Sequence, residues 1–260
     1  MPVIFRMLGM DLRRAVISWR FALVTLISVL VMMQMPFVVN AFCLVSMCDM
    51  MLTGTTVFTI VTIVLPAIPY AHAYLSDYRS NAVRYWSARG GVTSYGASKF
   101  IAAVLSGMLT YIVSMATVIL IKSASVPLWS GNVSSSIGYM PLLLNEDIEQ
   151  SRPIMYIVLT VLHHSLTAGM FASAAFCAVT IIPNMYVGIM TPVLLDFAYM
   201  RLSSIMHVPE HLNEIAMVQD VYNMGSISMT ILNKLAFTLC ALLLFGGLAI
   251  FMIRWRLKHD

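Results

Sequence analysis

Long stretches without a charged side chain constrain this chain more than any other feature. Stretches with no Asp, Glu, Lys or Arg cover 21–48, 50–76, 100–121, 153–195 and 235–253. A helix crosses the hydrocarbon core of a bilayer with about 20 apolar residues. Four stretches fit one crossing each, and 153–195 fits two with a turn at Pro183 and Asn184. We therefore predict an all-α integral membrane protein with six transmembrane helices. These lie near 17–40, 53–75, 98–121, 153–182, 184–205 and 229–253.

The composition supports a membrane protein with a single domain. Hydrophobic residues make up 60% of the chain and charged residues 10%, whereas a soluble domain is about 45–50% apolar. We find no internal repeat and no segment that could form a soluble domain, so we predict one transmembrane domain spanning 1–260. The first apolar stretch is longer than the 7–15 residues of a signal peptide, so we do not expect cleavage.

The positions of lysine and arginine predict the orientation. Eleven fall on one side of the predicted helices: Arg6, Arg13, Arg14, Arg20, Arg79, Arg84, Arg89, Lys99, Arg254, Arg256 and Lys258. Four fall on the other: Lys122, Arg152, Arg201 and Lys234. Both termini are therefore predicted to be cytoplasmic, in a multi-pass protein of the cell membrane. This asymmetry accounts for the net charge of +4, and no aromatic-interleaved basic patch indicates a nucleic-acid partner.

Two amphipathic helices are predicted at the inner membrane boundary. The first precedes the first crossing and places apolar residues and one acid at helical spacing: Ile4, Met7, Leu8, Asp11 and Leu12. The second runs over 76–91, with Ser76 as its N-cap, Asp77 in its first turn and glycines at its end. We place Tyr78, Ala82, Val83, Tyr85 and Trp86 on its membrane-facing arc. The polar arc, facing the cytoplasm, carries Asp77, Ser80, Asn81, Arg84 and Ser87. The residues alone leave open whether this helix only anchors the topology or docks a cytoplasmic partner.

The layout resembles the permease subunits of type-2 ABC exporters, in particular the small bacterial permeases that act on antimicrobial or toxic peptides. The shared features are six crossings, an N-terminal interfacial helix, a cytoplasmic helix between crossings two and three, and a long outer loop before the sixth. The local pattern that carries the resemblance lies at 77–80, 84–85, 89 and 95–99.

This resemblance implies partners and roles. Two such permeases would pair, with a homodimer expected, and two ATPase subunits would dock beneath them. Coupling to the ATPase would fall on Asp77, Arg79, Asn81, Arg84, Tyr85 and Arg89, with a smaller contact at Pro183 and Asn184. The chain contains no G-x-x-x-x-G-K-[ST] motif. ATP and Mg would therefore be bound by the partner, while this chain would be no enzyme and would bind no cofactor itself.

Ionisable residues within the predicted crossings are candidates for function. His163 and His164 lie about 15 Å into the fourth crossing, and Asp196 lies about 18 Å into the fifth from the opposite side. These depths permit a contact between histidine and aspartate. Such a set would line a polar part of the translocation path or would only fix helix register, and both interpretations stay open.

Other chemistry has weaker support. His207 and His211 belong to an H-x-x-E-H string, but Pro209 is tolerated best at the first position of a helix, which would leave His207 outside it. We therefore expect no metal site. Cys43 and Cys48 fall in the first outer loop, where a disulfide and free thiols are both possible.

The resemblance thus implies ATP-driven export of an amphipathic peptide or another hydrophobic compound. The alternatives are a stand-alone channel or immunity protein, and a membrane-embedded metallohydrolase.

Overall fold

The computed structural model describes residues 3–34, 61–70, 73–124, 153–209, 212, 218 and 226–259. Every regular element in these ranges is helical, as predicted. The α-helices are α1 Val3–Val16, α2 Trp19–Met33, α3 Ala73–Arg79, α4 Ala82–Gly90, α5 Val92–Lys122, α6 Pro153–Ile181, α7 Met185–Ile205 and α8 Ile227–His259.

Three helices in the described part of the chain are long and apolar enough to cross a membrane. They are Val92–Lys122, Ile157–Ile181 and Ser228–His259. The count rises to four if α1 and α2, which meet at 52°, form one broken crossing. The protein is therefore membrane-associated. Six crossings and cytoplasmic termini stay predictions, because 35–60 lies outside the described residues and α7 is not among these three helices.

Helix α6 forms the centre of the bundle, and α8 lies at its outside. Within their most apolar windows, 89% of α6 but only 22% of α8 is buried. The exposed face of α8 carries large apolar side chains, among them Leu239, Leu243 and Phe251. Lipid would solvate such a face, whereas water would not.

Small residues bring α5 and α6 together. A Cβ added to Gly107 would lie 2.7 Å from the Cβ of Ala172 and 3.1 Å from the carbonyl oxygen of Ala168. A Cβ on Gly169 would lie 2.7 Å from Met108. Small residues on both helices therefore let their backbones approach closely within the chain, as small residues in membrane helices commonly do.

The predicted crossing at 53–75 is wrong at its inner end. Residues 61–63 are helical, a 3₁₀ turn follows at Leu65–Ala67, and a separate helix, α3, begins at Ala73. Pro66 and Pro69 lie within this interruption. Proline lacks the N–H that an α-helix needs in its interior, and this explains the break.

The single helix predicted over 76–91 is also wrong, because α3 ends at Arg79 and α4 begins at Ala82. Asn81 lies between them with φ 55°, in the left-handed region that asparagine adopts more readily than most residues. The Ser80 hydroxyl donates to the carbonyl oxygen of Ser76 at 3.0 Å, which satisfies one acceptor at the end of α3. Gly91, with φ 80°, ends α4 as predicted, and α5 starts at Val92 rather than at 98.

The N-terminal amphipathic helix is confirmed as a separate element. Helix α1 buries Met7, Asp11 and Ala15, while Arg13 and Arg14 are exposed. Ser18 then begins α2, accepting a hydrogen bond from the Phe21 N–H at 3.1 Å. That α1 lies on the membrane surface stays a prediction.

Candidate functional site

One end of the bundle gathers α1, α3, α4, the start of α5 and the ends of α6 and α8. We call it the basic end. Arg254 of α8 donates to the Thr93 hydroxyl of α5 at 3.3 Å, and Arg256 donates to the carbonyl oxygen of Ile181 at 2.6 Å. Arg14 of α1 approaches Asp77 of α3 at 3.9 Å. These contacts join segments that the charge pattern assigned to one side of the membrane.

A buried lysine is the centre of the basic end. The Lys99 ammonium lies 2.8 Å from Asp11 Oδ1 and 2.9 Å from Asp77 Oδ2. The three residues are 2–5% exposed and come from α5, α1 and α3. A buried charge is tolerated when it is paired and hydrogen-bonded, so this arrangement fixes the three helices relative to one another.

Hydroxyl groups complete the coordination of the two carboxylates. Tyr70 donates to Asp11 Oδ1 at 2.7 Å, Ser98 donates to Asp11 Oδ2 at 2.8 Å, and Tyr95 donates to Asp77 Oδ2 at 2.9 Å. We call the set Asp11, Tyr70, Asp77, Tyr95, Ser98 and Lys99 the Lys99 network. With the exposed Arg14 at its edge, two carboxylates face two cations, so the formal charges balance.

The position of Asp77 corrects its predicted role. We expected it on the polar arc facing the cytoplasm, but its side chain is buried in the Lys99 network. It is therefore inaccessible to a docking partner and instead holds α3 to α5. Asp11 was predicted on the amphipathic N-terminal helix and Lys99 among the inner cations, but their ion pair was not predicted. The available signal was the spacing of Asp11, four residues after Met7 and four before Ala15 on the buried face of α1.

The other residues predicted for coupling are accessible. Arg79, Asn81, Arg84, Tyr85 and Arg89 are all exposed. Tyr85 is 53% exposed, and the Arg89 guanidinium lies 4.9 Å from its ring centroid. Tyr85 therefore faces away from the core, and its place on the membrane-facing arc stays a prediction.

The opposite side of α4 attaches it to the bundle. Val83 is buried in the core, and Trp86 is half-buried against it. Helix α4 thus presents cations and one aromatic ring outwards, while Val83 and Trp86 on its other side pack against the core of the bundle.

The second predicted contact, Pro183 and Asn184, lies in the turn between α6 and α7. Asn184 accepts a hydrogen bond from the Tyr186 N–H at 3.0 Å and so caps α7. Ile181, which accepts the hydrogen bond from Arg256, immediately precedes this turn. The turn therefore lies at the basic end, as predicted.

The candidate residues of the translocation path lie deeper. His163 and His164 are buried in α6 with ring centroids 5.3 Å apart, and Tyr111 of α5 lies 5.5 Å from His164. Asp196 is half-buried in α7. Its pairing with the histidines stays a prediction.

Lys234 is a candidate that the sequence analysis misplaced. It was counted with the cations of the outer side, but in α8 it is 4% exposed and donates to the Thr167 hydroxyl of α6 at 2.7 Å. Thr167 in turn donates to the carbonyl oxygen of His163 at 3.1 Å. The lysine ammonium therefore lies one helical turn from the histidine pair.

Further polar atoms extend this region along α6 and α8. Within the described ranges, His163 Nε2, Thr160 Oγ1 and Thr238 Oγ1 are buried without a hydrogen-bond partner. We call Thr160, His163, His164, Thr167, Lys234 and Thr238 the polar seam. Polar atoms in such numbers between two membrane-length helices mark a candidate path for a polar group.

No metal site emerges from the described residues. They contain no group of three His, Cys, Asp or Glu side chains that could hold an ion. His207 follows α7 with φ 48° and is exposed, so it is outside the helix as its proline neighbour predicted. Glu210, His211, Cys43 and Cys48 lie outside the described residues.

Comparison of the chain with protein-family models, with curated proteins and with solved structures finds no match.

Proposed function

We propose that this chain is the permease subunit of an ATP-driven exporter resembling the type-2 ABC class, acting in the cell membrane with a separate ATPase. The observation that carries the proposal is the construction of α3 and α4. They present exposed cations and an exposed tyrosine, and they are fixed to the membrane helices by buried groups. A helix that only anchored topology would need the cations but not the buried attachment.

A partner that displaced α4 would move α5 by two routes. Helix α4 continues into α5 through Gly91. Helix α3 is joined to α5 by the Asp77–Lys99 ion pair, at 2.9 Å. Helix α5 then packs on α6 through Gly107, so movement at the basic end reaches the helix that carries His163 and His164.

The cargo is an amphipathic peptide or another hydrophobic compound. The polar seam supplies hydrogen-bonding groups for polar parts of the cargo, and the apolar helix surfaces suit its remainder. ATP and Mg are bound by the ATPase, and two permease subunits, a homodimer in the simplest assembly, form the path. If Asp196 lines it, Asp196→Asn abolishes export while ATPase binding stays intact.

The test is co-purification of the chain in detergent with the products of neighbouring genes, followed by an ATPase assay. We expect a stoichiometric ATPase that is lost from the double variant Arg84→Glu, Tyr85→Ala. The matched control is Arg13→Glu with Phe5→Ala, which reverses an exposed charge and removes an exposed ring on α1 instead. It should keep the ATPase.

A second outcome of this experiment would refute the proposal. A chain that purifies alone, binds no ATPase and still functions in cells lacking one would refute the exporter and favour the stand-alone channel or immunity protein.

A further inference from the structure

A cavity opens at the basic end between the α3–α4 break and the last turns of α8. Its volume is about 320 Å³. Three arginines line it, Arg79 from α3, Arg84 from α4 and Arg256 from α8, together with Asn81 and Tyr78. We call it the three-arginine cavity. Its volume is at the lower end of the roughly 300–1,000 Å³ of small-molecule sites, so it suits a compact group and not a folded segment.

The positive charge of the three-arginine cavity is not neutralised by the described parts of the chain. None of its three arginines forms an ion pair there. The two described carboxylates at the basic end, Asp11 and Asp77, are both bound to Lys99. Three arginines that line one space, with no acidic residue among the described lining, create a local excess of positive potential, which an anion would relieve.

One of the guanidinium groups is already positioned. Arg256 donates to the carbonyl oxygen of Ile181 at 2.6 Å, and its guanidinium lies 5.2 Å from the Tyr78 ring centroid. A guanidinium has five N–H donors, so these contacts leave others for a ligand. Its planar, forked shape matches the oxygens of a phosphate.

The surroundings of the three-arginine cavity indicate where such a phosphate comes from. The cavity lies at the last turns of α8, a helix long and apolar enough to cross a membrane, whose exposed face carries Leu244, Phe251 and Trp255. The end of such a helix lies at the level of the lipid headgroups, so a headgroup phosphate is within reach of the arginines. Basic pockets at the cytoplasmic ends of membrane helices bind phospholipid headgroups in this manner.

We propose that the three-arginine cavity binds the phosphate of an anionic phospholipid from the leaflet that the basic end faces. The lipid neutralises the arginines of α3, α4 and α8 together and so joins these helices. This site goes beyond the exporter proposal, because it requires neither an ATPase nor transported cargo.

The experiment uses the full chain alone, purified in a zwitterionic detergent, with bound lipid counted by native mass spectrometry. The probes are short-chain phosphatidylglycerol, short-chain phosphatidylcholine and inorganic phosphate. The test variant is Arg79→Gln with Arg84→Gln, since neither side chain makes a hydrogen bond or ion pair in the described ranges. The control is Arg13→Gln with Lys258→Gln, which removes the same charge from two exposed positions outside the cavity.

We expect phosphatidylglycerol to bind more tightly than phosphatidylcholine. Near a membrane surface each basic residue contributes roughly a fivefold gain in affinity for anionic lipid, so the test variant should bind about 25-fold more weakly. Arg13 and Lys258 are exposed and outside the cavity, where solvent and salt screen their charges, so the control should change by less than about twofold. Arg256→Gln should weaken binding in the same direction. If the Arg256→Gln variant fails to fold, lipid binding by the Arg79→Gln, Arg84→Gln variant tests the proposal alone.

Three results would overturn the proposal. Equal loss of phosphatidylglycerol from the test variant and the control would show that only overall charge matters. Displacement of the lipid by inorganic phosphate at equal concentration would assign the cavity to a free phosphate. Unchanged binding of phosphatidylglycerol by the test variant would show that the three-arginine cavity is not the lipid site.

Discussion

Replacing Lys99 by methionine tests whether charge pairing holds the basic end together. Methionine keeps a long, unbranched stem but removes the ammonium that lies 2.8 Å from Asp11 and 2.9 Å from Asp77. Two buried carboxylates would then face each other without that cation. Removal of one partner from a buried ion pair costs about 3–5 kcal/mol. Because the hydroxyls of the network still donate to both acids, we expect a loss of about 4 kcal/mol in the free energy of unfolding.

Thermal unfolding in detergent, followed by tryptophan fluorescence, measures this loss. For a chain of this size, 1 kcal/mol corresponds to roughly 2–4 °C in Tm. Lys99→Met should therefore lower Tm by about 8–16 °C. Arg14→Gln is the matched single-charge control. Its side chain is 58% exposed and lies 3.9 Å from Asp77, so solvent screening should limit its cost to about 1 kcal/mol or less.

A neutral triple variant separates charge from packing. Lys99→Met combined with Asp11→Asn and Asp77→Asn removes every formal charge from the Lys99 network while keeping its shape. Replacement of a whole buried ion group by uncharged residues is often close to neutral, so Tm should return most of the way to that of the wild type. A triple variant as unstable as Lys99→Met would refute the electrostatic argument, as would a single variant with unchanged Tm.

Three further changes test the packing, the α3–α4 break and the polar seam. Gly107→Ala places a methyl group 2.7 Å from the Cβ of Ala172 and should lower the free energy of unfolding by about 1–3 kcal/mol. The control is Gly247→Ala, whose added methyl group meets nothing within 4 Å. Equal Tm values for the two variants would contradict the described contact of α5 with α6. Asn81→Gly should preserve the fold because glycine accepts φ 55°, and Asn81→Val should destabilise it by about 1–2 kcal/mol, as measured by denaturant unfolding. Thr167→Val removes the acceptor 2.7 Å from the Lys234 ammonium and should lower the free energy of unfolding by about 1–3 kcal/mol. The control Thr167→Ser keeps the hydroxyl and should be close to wild type in stability. An equal loss of stability in both variants would point to packing instead of the hydrogen bond.

Features set by local composition could be predicted from the sequence. The charge-free stretches located α5, α6 and α8, and the turn predicted at Pro183 and Asn184 located the start of α7 within one residue, where Asn184 proves to be the N-cap. The amphipathic pattern of 3–16 predicted α1, since a helix that buries one face must repeat its apolar residues at helical spacing.

Features set by contacts between distant segments could not be predicted from the sequence. Asp77 was predicted to be solvent-facing because carboxylates on short helices usually are, and only the approach of α5 and α1 makes its burial favourable. Lys234 was counted with the outer cations for the same reason. In both cases the partners are at least 18 residues away along the chain, beyond the reach of any local pattern.

The Lys99 network and Gly91 define how the exposed face of α4 is connected to the bundle. Gly91 has φ 80° and joins α4 to α5 with a conformation that side-chain-bearing residues rarely adopt. A single backbone joint of this kind would carry a pull from α4 to α5 but would leave α4 free to rotate about it. The Asp77–Lys99 ion pair removes that freedom, because it holds α3, on the other side of the Asn81 break, to the first turns of α5. A force applied to α4 therefore acts on α5 through two attachment points. If the Asp77–Lys99 pair is the coupling element, the neutral triple variant should fold and bind an ATPase yet fail to link ATP hydrolysis to export.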